Sequence, residues 1–392
     1  METLGLYVQI PFCASKCSYC NFSTQVARAS AFDAYCRAVE EEIERLPELY
    51  TAPGIGQGLL DLPVNTLYVG GGTPTIVGRE RLARVLRAVR ERFRLNAVLE
   101  FTLEVTPGSA DADFLAWARA AEVNRLSIGA QSFNDQELRS VGRLHSAAET
   151  GELILQARRA GFANLSLDLI AGMPYQTGTS WRENLCATAE VKPEHVSVYL
   201  FEVDEKSRLG SEVLRHGTGY HAAAVPDESF MAEAYETARA FLRKEGYVQY
   251  EISNFALPGY ESRHNQKYWK LEPYLGLGAG AHSFDGECRW ANETSPEAYA
   301  QKIARGESPI AEMRLLSPEE QLEEFFFVGL RQSAGVDLGL ARRRWGATRV
   351  ARWEPTLSAL AQKGWLERRA NQARLTEQAY LISNEVFQEF MT

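Results

Sequence analysis

The sequence predicts an α/β chain: a partial (β/α)6 barrel followed by a winged-helix-like α+β domain. Three observations carry this. Short apolar strands alternate with amphipathic helices six times between residues 5 and 205. Each of those strands ends in a polar or glycine-rich group, and the texture changes near residue 310. Consecutive βα units imply parallel strands joined by right-handed crossovers.

The strand candidates are Leu6–Ile10, Thr66–Gly70, Leu99–Val105, Arg125–Gly129, Asn164–Ile170 and His195–Phe201. Helical patterns lie between them at Ala31–Arg45, Arg79–Phe93, Asp111–Ala120, Ala147–Ala160 and Thr179–Glu190. Most strands read as apolar with little alternation, as expected where helices cover one face and a filled interior covers the other. A doubly wound open sheet shares that pattern, so the polar residues decide. The first strand runs into a cysteine loop, the second into Gly70-Gly71-Gly72-Thr73-Pro74, and the third carries Glu104 before Thr106-Pro107-Gly108. The fourth ends in Gln131-Ser132, the fifth in Asp168 and Gly172-Met173-Pro174, and the sixth runs through Tyr199 toward Glu202. Such groups at successive strand C-termini describe a barrel with its site on the C-terminal face.

Three segments are expected: the barrel over 1–225, a barrel extension over 226–309 and the winged-helix-like domain over 310–392. Gly54–Asn65 is a glycine- and proline-bearing loop to which no role is assigned. In the extension, a long helix over Asp227–Gly246 leads into Tyr250-Glu251-Ile252-Ser253-Asn254-Phe255 and an aromatic, glycine-rich stretch from His264 to Phe284. Ser317 reads as an N-cap with Pro318 at the first helical position, opening a helix through Leu330. Short strands follow around Leu366 and Leu375. Acidic and basic residues balance over 310–392, which argues against a DNA-reading role for this domain.

The whole chain is 45% apolar and 24% charged, with net charge −9, an ordinary soluble composition that disfavours a dedicated nucleic-acid binder. No apolar run reaches the roughly 18 residues of a membrane span. Met1-Glu2-Thr3-Leu4-Gly5 lacks the basic start and apolar run of a secretory signal, so a cytoplasmic location is expected. In that reducing compartment clustered cysteines point to metal or catalysis rather than disulfides.

Of six cysteines, Cys13, Cys17 and Cys20 cluster as C-x3-C-x2-C, while Cys36, Cys186 and Cys288 stand alone and read as small core residues. Four thiolates would close a [4Fe–4S] cubane, whereas three on one loop leave one iron open, the mark of a reactive site. A Cys3His zinc site and a coincidental group of buried thiols are the alternatives. Structural zinc sequences usually bring two pairs of ligands, which this spacing does not.

The stretch Tyr7-Val8-Gln9-Ile10-Pro11-Phe12-Cys13 through Cys17-Ser18-Tyr19-Cys20 resembles the opening of radical SAM proteins related to the oxygen-independent coproporphyrinogen III oxidase, HemN. The resemblance continues through Gly-Gly-Gly-Thr-Pro at 70–74, Leu-Glu-Val-Thr-Pro at 103–107, Ile-Gly-Ala-Gln-Ser-Phe at 128–133 and Asp168–Pro174, covering nearly the whole chain. It implies that S-adenosylmethionine (SAM) chelates the open iron through its amino and carboxylate groups. Gly71, Gly72 and Thr73 would let the backbone approach the ligand, and Glu104, Gln131, Arg143 and Asp168 match SAM-contacting positions. Tyr7 and Tyr19 would pack beside the cluster and the adenine. Such a site has the chemistry to cleave SAM reductively, given an electron donor.

Two features separate the chain from the oxidase itself. Phe22 stands where the oxidase carries a further cysteine, and five residues precede the first predicted strand where the oxidase has a long arm. His264-Asn265-Gln266-Lys267-Tyr268-Trp269 instead matches the H-N-x-x-Y-W signature of HemW-type heme chaperones. That resemblance implies heme as a third cofactor, His264 as its ligand and a heme-acceptor protein as partner, with His282 a weaker ligand candidate. Coproporphyrinogen dehydrogenation and a HemN-related radical SAM methyltransferase remain the alternative activities.

Overall fold

The computed structural model describes residues 2–51 and 58–391. Part of the loop predicted over Gly54–Asn65, residues 54–57, lies outside them. Six strands in chain order, Leu4–Ile10 (β1), Val64–Gly71 (β2), Leu95–Val105 (β3), Arg125–Gln131 (β4), Leu165–Ala171 (β5) and His195–Leu200 (β6), pair in parallel, each with the next. Helices Ala29–Glu44, Arg79–Arg92, Ala112–Ala120, Ala147–Arg159 and Gly178–Val191 connect them. The partial (β/α)6 barrel is therefore present, with element ends within a few residues of those expected. The short helix Asp135–Ser140 was not foreseen.

The extension lengthens the sheet at both edges. Val248–Gln249 (β7) and Asn254–Ala256 (β8) add antiparallel strands beside β6. On the other side Tyr274–Leu277 (β9) lies parallel to β1, followed by antiparallel His282–Phe284 (β10), Cys288–Asn292 (β11) and Ile310–Leu315 (β12). The result is one 12-stranded sheet in the order β12-β11-β10-β9-β1-β2-β3-β4-β5-β6-β8-β7.

The C-terminal part opens as expected, with Ser317 capping helix Pro318–Gly329 in a capping box. Its three-stranded sheet comprises Val336–Asp337 (β13), Leu366–Arg369 (β14) and Gln372–Leu375 (β15), ordered β13-β15-β14. Leu322, Phe326, Leu357, Val386 and Phe390 form its core, which also takes in Tyr235 from helix Glu228–Lys244. Cys36 and Cys288 are buried as expected, but Cys186 is exposed.

The strands depart from expectation in their inner faces. The register sets Tyr7 beside Tyr68, Tyr68 beside Thr102, Glu104 beside Ser127 and Asp168 beside Ser197. Residues between these, such as Leu6, Leu67, Leu103, Leu126 and Leu167, face outward into the helical core. The strands thus alternate strictly, and the lumen is polar and aromatic rather than filled with aliphatic side chains.

A buried carboxylate ties the extension to the barrel. Glu42 is fully buried and accepts four hydrogen bonds: from Tyr50 Oη (2.6 Å), Asn292 Nδ2 (2.8 Å), Tyr299 Oη (2.7 Å) and Gly278 N (2.8 Å). Tyr35 Oη takes the backbone N–H of Ala279 (2.9 Å) and donates to the carbonyl of Gln9 (2.8 Å), so the end of β1 hangs on the same knot. Gly278 has φ +96°, and a Cβ there would lie 2.4 Å from Tyr35 Oη, so only glycine fits. Replacing Glu42 with Leu should cost about 3 kcal/mol or more, because it strands buried donors, Tyr299 Oη and Gly278 N first among them. Glu42→Gln should cost less. Equal denaturation midpoints for wild type and Glu42→Leu would remove the clamp from the account.

Candidate functional site

Residues 11–25 leave β1 as a loop that folds back on itself. Gln25 N donates to Pro11 O (2.8 Å) and Cys13 N to Gln25 O (3.0 Å), a parallel bridge between Phe12 and Gln25 that closes the loop around the three thiols. Cys13, Cys17 and Cys20 are all half-buried and unpaired with one another. Among the described residues no three ligating side chains gather around one ion position, as zinc would require; the separate irons of a cubane do not need that. Burial pushes the Cys13 thiol up, opposed by hydrogen bonds from Thr73 and Thr24.

The glycine turn after β2 presses against this loop. Gly72 N donates to Ile10 O (2.9 Å) and Thr73 N to Phe12 O (2.7 Å). A Cβ on Gly72 would sit 2.4 Å from Phe12 O and 2.9 Å from Cys13 Sγ, so any side chain would collide with the loop it must touch. Gly71 N donates to Glu104 Oε2 (2.9 Å), and Tyr68 Oη donates to Glu104 Oε1 (2.8 Å). Even with these donors, burial lifts the Glu104 carboxyl to about 7. Asp168 rises to about 6 for the same reason, opposed by a hydrogen bond from Ser197 and by the charges of Arg125 and Arg143.

Opposite Glu104, Arg143 donates to the carbonyl of Gly129 (2.7 Å) and approaches Cys17 Sγ at 3.9 Å. Tyr19 lies beside the same guanidinium. Gln131 has φ +66°, and its amide curls back over Gly129 next to Arg143. Tyr7 donates to Gln9 Oε1 (2.6 Å) and stacks on Tyr68 with ring centroids 5.7 Å apart. Cys13, Cys17, Cys20, Tyr7, Tyr19, Gly71, Gly72, Thr73, Glu104, Gln131, Arg143 and Asp168 therefore meet at one mouth, the C-terminal end of the barrel. This donor set suits a three-thiolate cluster and a zwitterionic, sulfonium-bearing ligand.

His264 is elsewhere. It belongs to helix Arg263–Trp269, whose N-terminus is held by Glu100, which accepts from Arg263 N and His264 N (both 2.9 Å). The ring is 1% exposed, below Tyr7 and Tyr68 in the lumen. Nδ1 pairs with Thr66 Oγ1 (2.9 Å) and Nε2 with Tyr268 Oη (2.8 Å). Burial drives its basicity down to about 3, so it is neutral, with one nitrogen donating and the other accepting. His264 thus lines the barrel floor, with both ring nitrogens engaged by protein side chains. Lys267 of the same motif is equally buried and donates to Thr3 O (2.9 Å) and Glu272 Oε2 (3.1 Å).

Four participants escaped the sequence reading. Gln9 and Tyr68 form the near wall, and Arg125 sits buried on the inner face. Glu137, also buried, accepts from Ser132 Oγ (2.6 Å), Ser180 Oγ (2.6 Å), Gln176 Nε2 (3.0 Å) and Asn184 Nδ2 (3.2 Å), which pins the loops after β4 and β5. The period-two alternation along each strand was the signal for the first three.

Residues 7–185 match the radical SAM superfamily and residues 316–382 the HemN C-terminal domain. The chain is 34% identical over 386 residues to the heme chaperone HemW of Bacillus subtilis, covering 98% of each chain. It is 33% identical to the heme chaperone HemW of Mycobacterium tuberculosis over 98% of this chain and 94% of that one. A bovine mitochondrial protein, radical S-adenosyl methionine domain-containing protein 1, is 34% identical over 88% of this chain and 76% of its own. Among solved structures, coproporphyrinogen III oxidase (HemN) from Escherichia coli superposes with a TM-score of 0.85 at 26% identity, over 100% of this chain and 90% of that one. With that identity running from end to end, the chain belongs to the HemW family of radical SAM proteins.

Proposed function

We propose that this protein binds heme and passes it to an acceptor protein, while carrying a [4Fe–4S] cluster on Cys13, Cys17 and Cys20 with exchangeable SAM. The observation that carries the proposal is 34% identity, over 98% of the chain, to a protein named a heme chaperone. The mouth supports the cofactors: three thiols on one closed loop, a glycine turn pressed against Cys13, and two carboxyls with perturbed acidity across the lumen. The cluster, when loaded, supplies an iron open to chelation and a route for one electron.

The protein's own residues then divide the work. Gly71 and Gly72 bring backbone within reach of the methionine end of SAM, and Thr73 steadies the thiol of Cys13. Arg143 offsets the negative charge of thiolate at Cys17 and offers a guanidinium to the SAM carboxylate. Glu104 and Asp168 accept hydrogen bonds from amino or ribose groups, while Tyr7 and Tyr19 wall the cavity. Oxidation of coproporphyrinogen is the second activity to test, since the fold superposes on HemN.

Three outcomes are expected. Serine at Cys13, Cys17 or Cys20 should abolish the visible absorbance of the reconstituted cluster, whereas serine at Cys36, Cys186 or Cys288 should leave it; loss in the second group would break the ligand assignment. Titration of the reconstituted protein with ferric heme should give a saturable Soret band, and added apomyoglobin should withdraw that heme. Turnover of coproporphyrinogen III with SAM and a reductant would overturn the carrier assignment.

The third outcome concerns pH. Glu104 ionises at about 7 rather than 4.5, so its stabilising contribution is full below pH 4.5 and fades as pH rises through 7. SAM, which meets the ionised form, should bind more tightly at pH 8 than at pH 6. Calorimetry should show that slope flattened in Glu104→Gln, and an unchanged slope would sink the role given to Glu104.

A further inference from the structure

We propose that Arg125 anchors the carboxylate of an organic acid on the floor of the barrel lumen, beneath the mouth assigned to SAM. Arg125 opens β4, and the inner face of that strand continues through Ser127 and Gly129 to Gln131. Gln131 stands at the mouth, so Arg125 lies roughly 20 Å deeper along the strand. The residue is 2% exposed.

Nothing in the protein answers its charge at close range. Among the described residues the guanidinium makes no hydrogen bond and no ion pair, and Nε is sealed from solvent without an acceptor. Arg239, the other buried arginine, instead donates Nε to Gln249 (2.9 Å) and Nη1 to Glu236 (2.8 Å). Thr102, fully buried and beside Arg125 in the β3–β4 register, likewise has an Oγ1 without a partner. Two unanswered polar side chains therefore adjoin on the inner face.

Their neighbours are already engaged. His195 pairs with Ser166 Oγ and Tyr250 Oη, each at 2.8 Å, and His264 with Thr66 and Tyr268. Glu104 is held by Tyr68 and Gly71, and Asp168 stands on β5 opposite Ser197. Both carboxyls feel the charge of Arg125, yet neither forms an ion pair with it. A buried ion without an acceptor is costly, so its presence calls for an anion from outside the chain.

The surroundings select that anion. A guanidinium fork takes a carboxylate through two parallel hydrogen bonds, and the Thr102 hydroxyl adds a third donor. Phosphate would bring a second negative charge toward Glu104 and Asp168, which ionise at about 7 and about 6. A carboxylate, singly charged, lessens that repulsion. Tyr7 and Tyr68 wall the way up, stacked with ring centroids 5.7 Å apart. Tyr199, two residues beyond Ser197 on the inner face of β6, keeps 42% exposure, so the lumen is open on that side. The ligand is a carboxylate carried on an apolar or flat body.

The test titrates the cluster-loaded protein with [1-13C]propionate, read by the carbon-13 shift, and follows thermal denaturation alongside. Wild type should show a saturable shift, and Arg125→Met should raise the apparent Kd about 10-fold or more. Arg125→Lys, which keeps the charge but loses the fork, should fall between. Because Met removes an unanswered buried charge, the Arg125→Met midpoint should equal or exceed that of wild type. Absence of a saturable shift in wild type, equal affinity in Arg125→Met, or a lowered midpoint in that variant would overturn the anchor. Heme and its dimethyl ester then distinguish the source of the carboxylate. Weaker binding of the ester in wild type, with the difference lost in Arg125→Met, assigns the anchor to a heme propionate. Equal binding of the two assigns it to a separate organic acid. Absence of any Soret band would overturn the heme-carrier function alone, since propionate reads the anchor without heme.

Discussion

The end of β1 has to stay where it is for anything at the mouth to exist. It delivers Cys13, receives the glycine turn of β2, and flanks Tyr7 and Gln9. What holds it is not a strand partner alone but the Tyr35 hydroxyl on the Gln9 carbonyl, itself fixed by Ala279 and by the four-donor carboxylate of Glu42. A net hydrogen bond contributes only about 1 kcal/mol, yet a buried group left without its partner costs more than that bond gives. The knot therefore works as an all-or-nothing joint between the helix Ala29–Glu44, the β9–β10 turn and the strand that carries the cluster loop. Glu137 does the same on the far side, holding the loops after β4 and β5.

A polar lumen follows from the same physics. The inner faces place Tyr, Glu, Asp, Ser and His where a closed enzyme barrel usually stacks branched aliphatics. Each such group needs a partner or must become neutral. His195 and His264 are neutral and doubly bonded, and the carboxyls of Glu104 and Asp168 are lifted toward neutrality. Helix Arg263–Trp269 closes the floor: Glu100 takes its first N–H groups, and the Lys267 stem lies so close to β1 that a Cβ on Gly5 would meet it at 2.7 Å. The H-N-x-x-Y-W sequence reads physically as a plug. Its histidine seals, its lysine ties down the N-terminus of β1, and Tyr268 extends the aromatic column from Tyr68 toward Tyr274.

Sequence showed the order of the barrel, the chemistry at each strand end and the capped helix at Ser317, because these depend on local spacing and on residue types with few other uses. That Cys13, Cys17 and Cys20 share one loop was legible for the same reason. Depth was not. His264 and His221 are the same residue type in aromatic surroundings, and nothing local tells a ring buried by a distant Thr66 from one left in solvent. Cys186 was misjudged because one helical thiol looks alike on either face. Alternation was visible but discounted: Leu165-Ser166-Leu167-Asp168-Leu169 in β5 already announces a polar inner face. The left-handed pair at Tyr220 and His221 has no sequence signal beyond the nearby Gly217 and Gly219.

The backbone agrees with HemN at a TM-score of 0.85 while only 26% of residues are shared. A difference in task between two such chains has to lie in side chains, and the lumen is a poor place for it. Many of its polar groups are tied to one another, Tyr68 to Glu104 and His264 to Thr66 and Tyr268, so changing one leaves another unsatisfied. The mouth is freer. Phe22 projects there from the cysteine loop beside Asn21, which donates to Asp204 (2.7 Å), and the segment carrying Arg208, Tyr220 and His221 is bolted to the same loop. Surface at that position is exposed, aromatic and cationic, so its side chains can change without leaving a buried polar group unpaired.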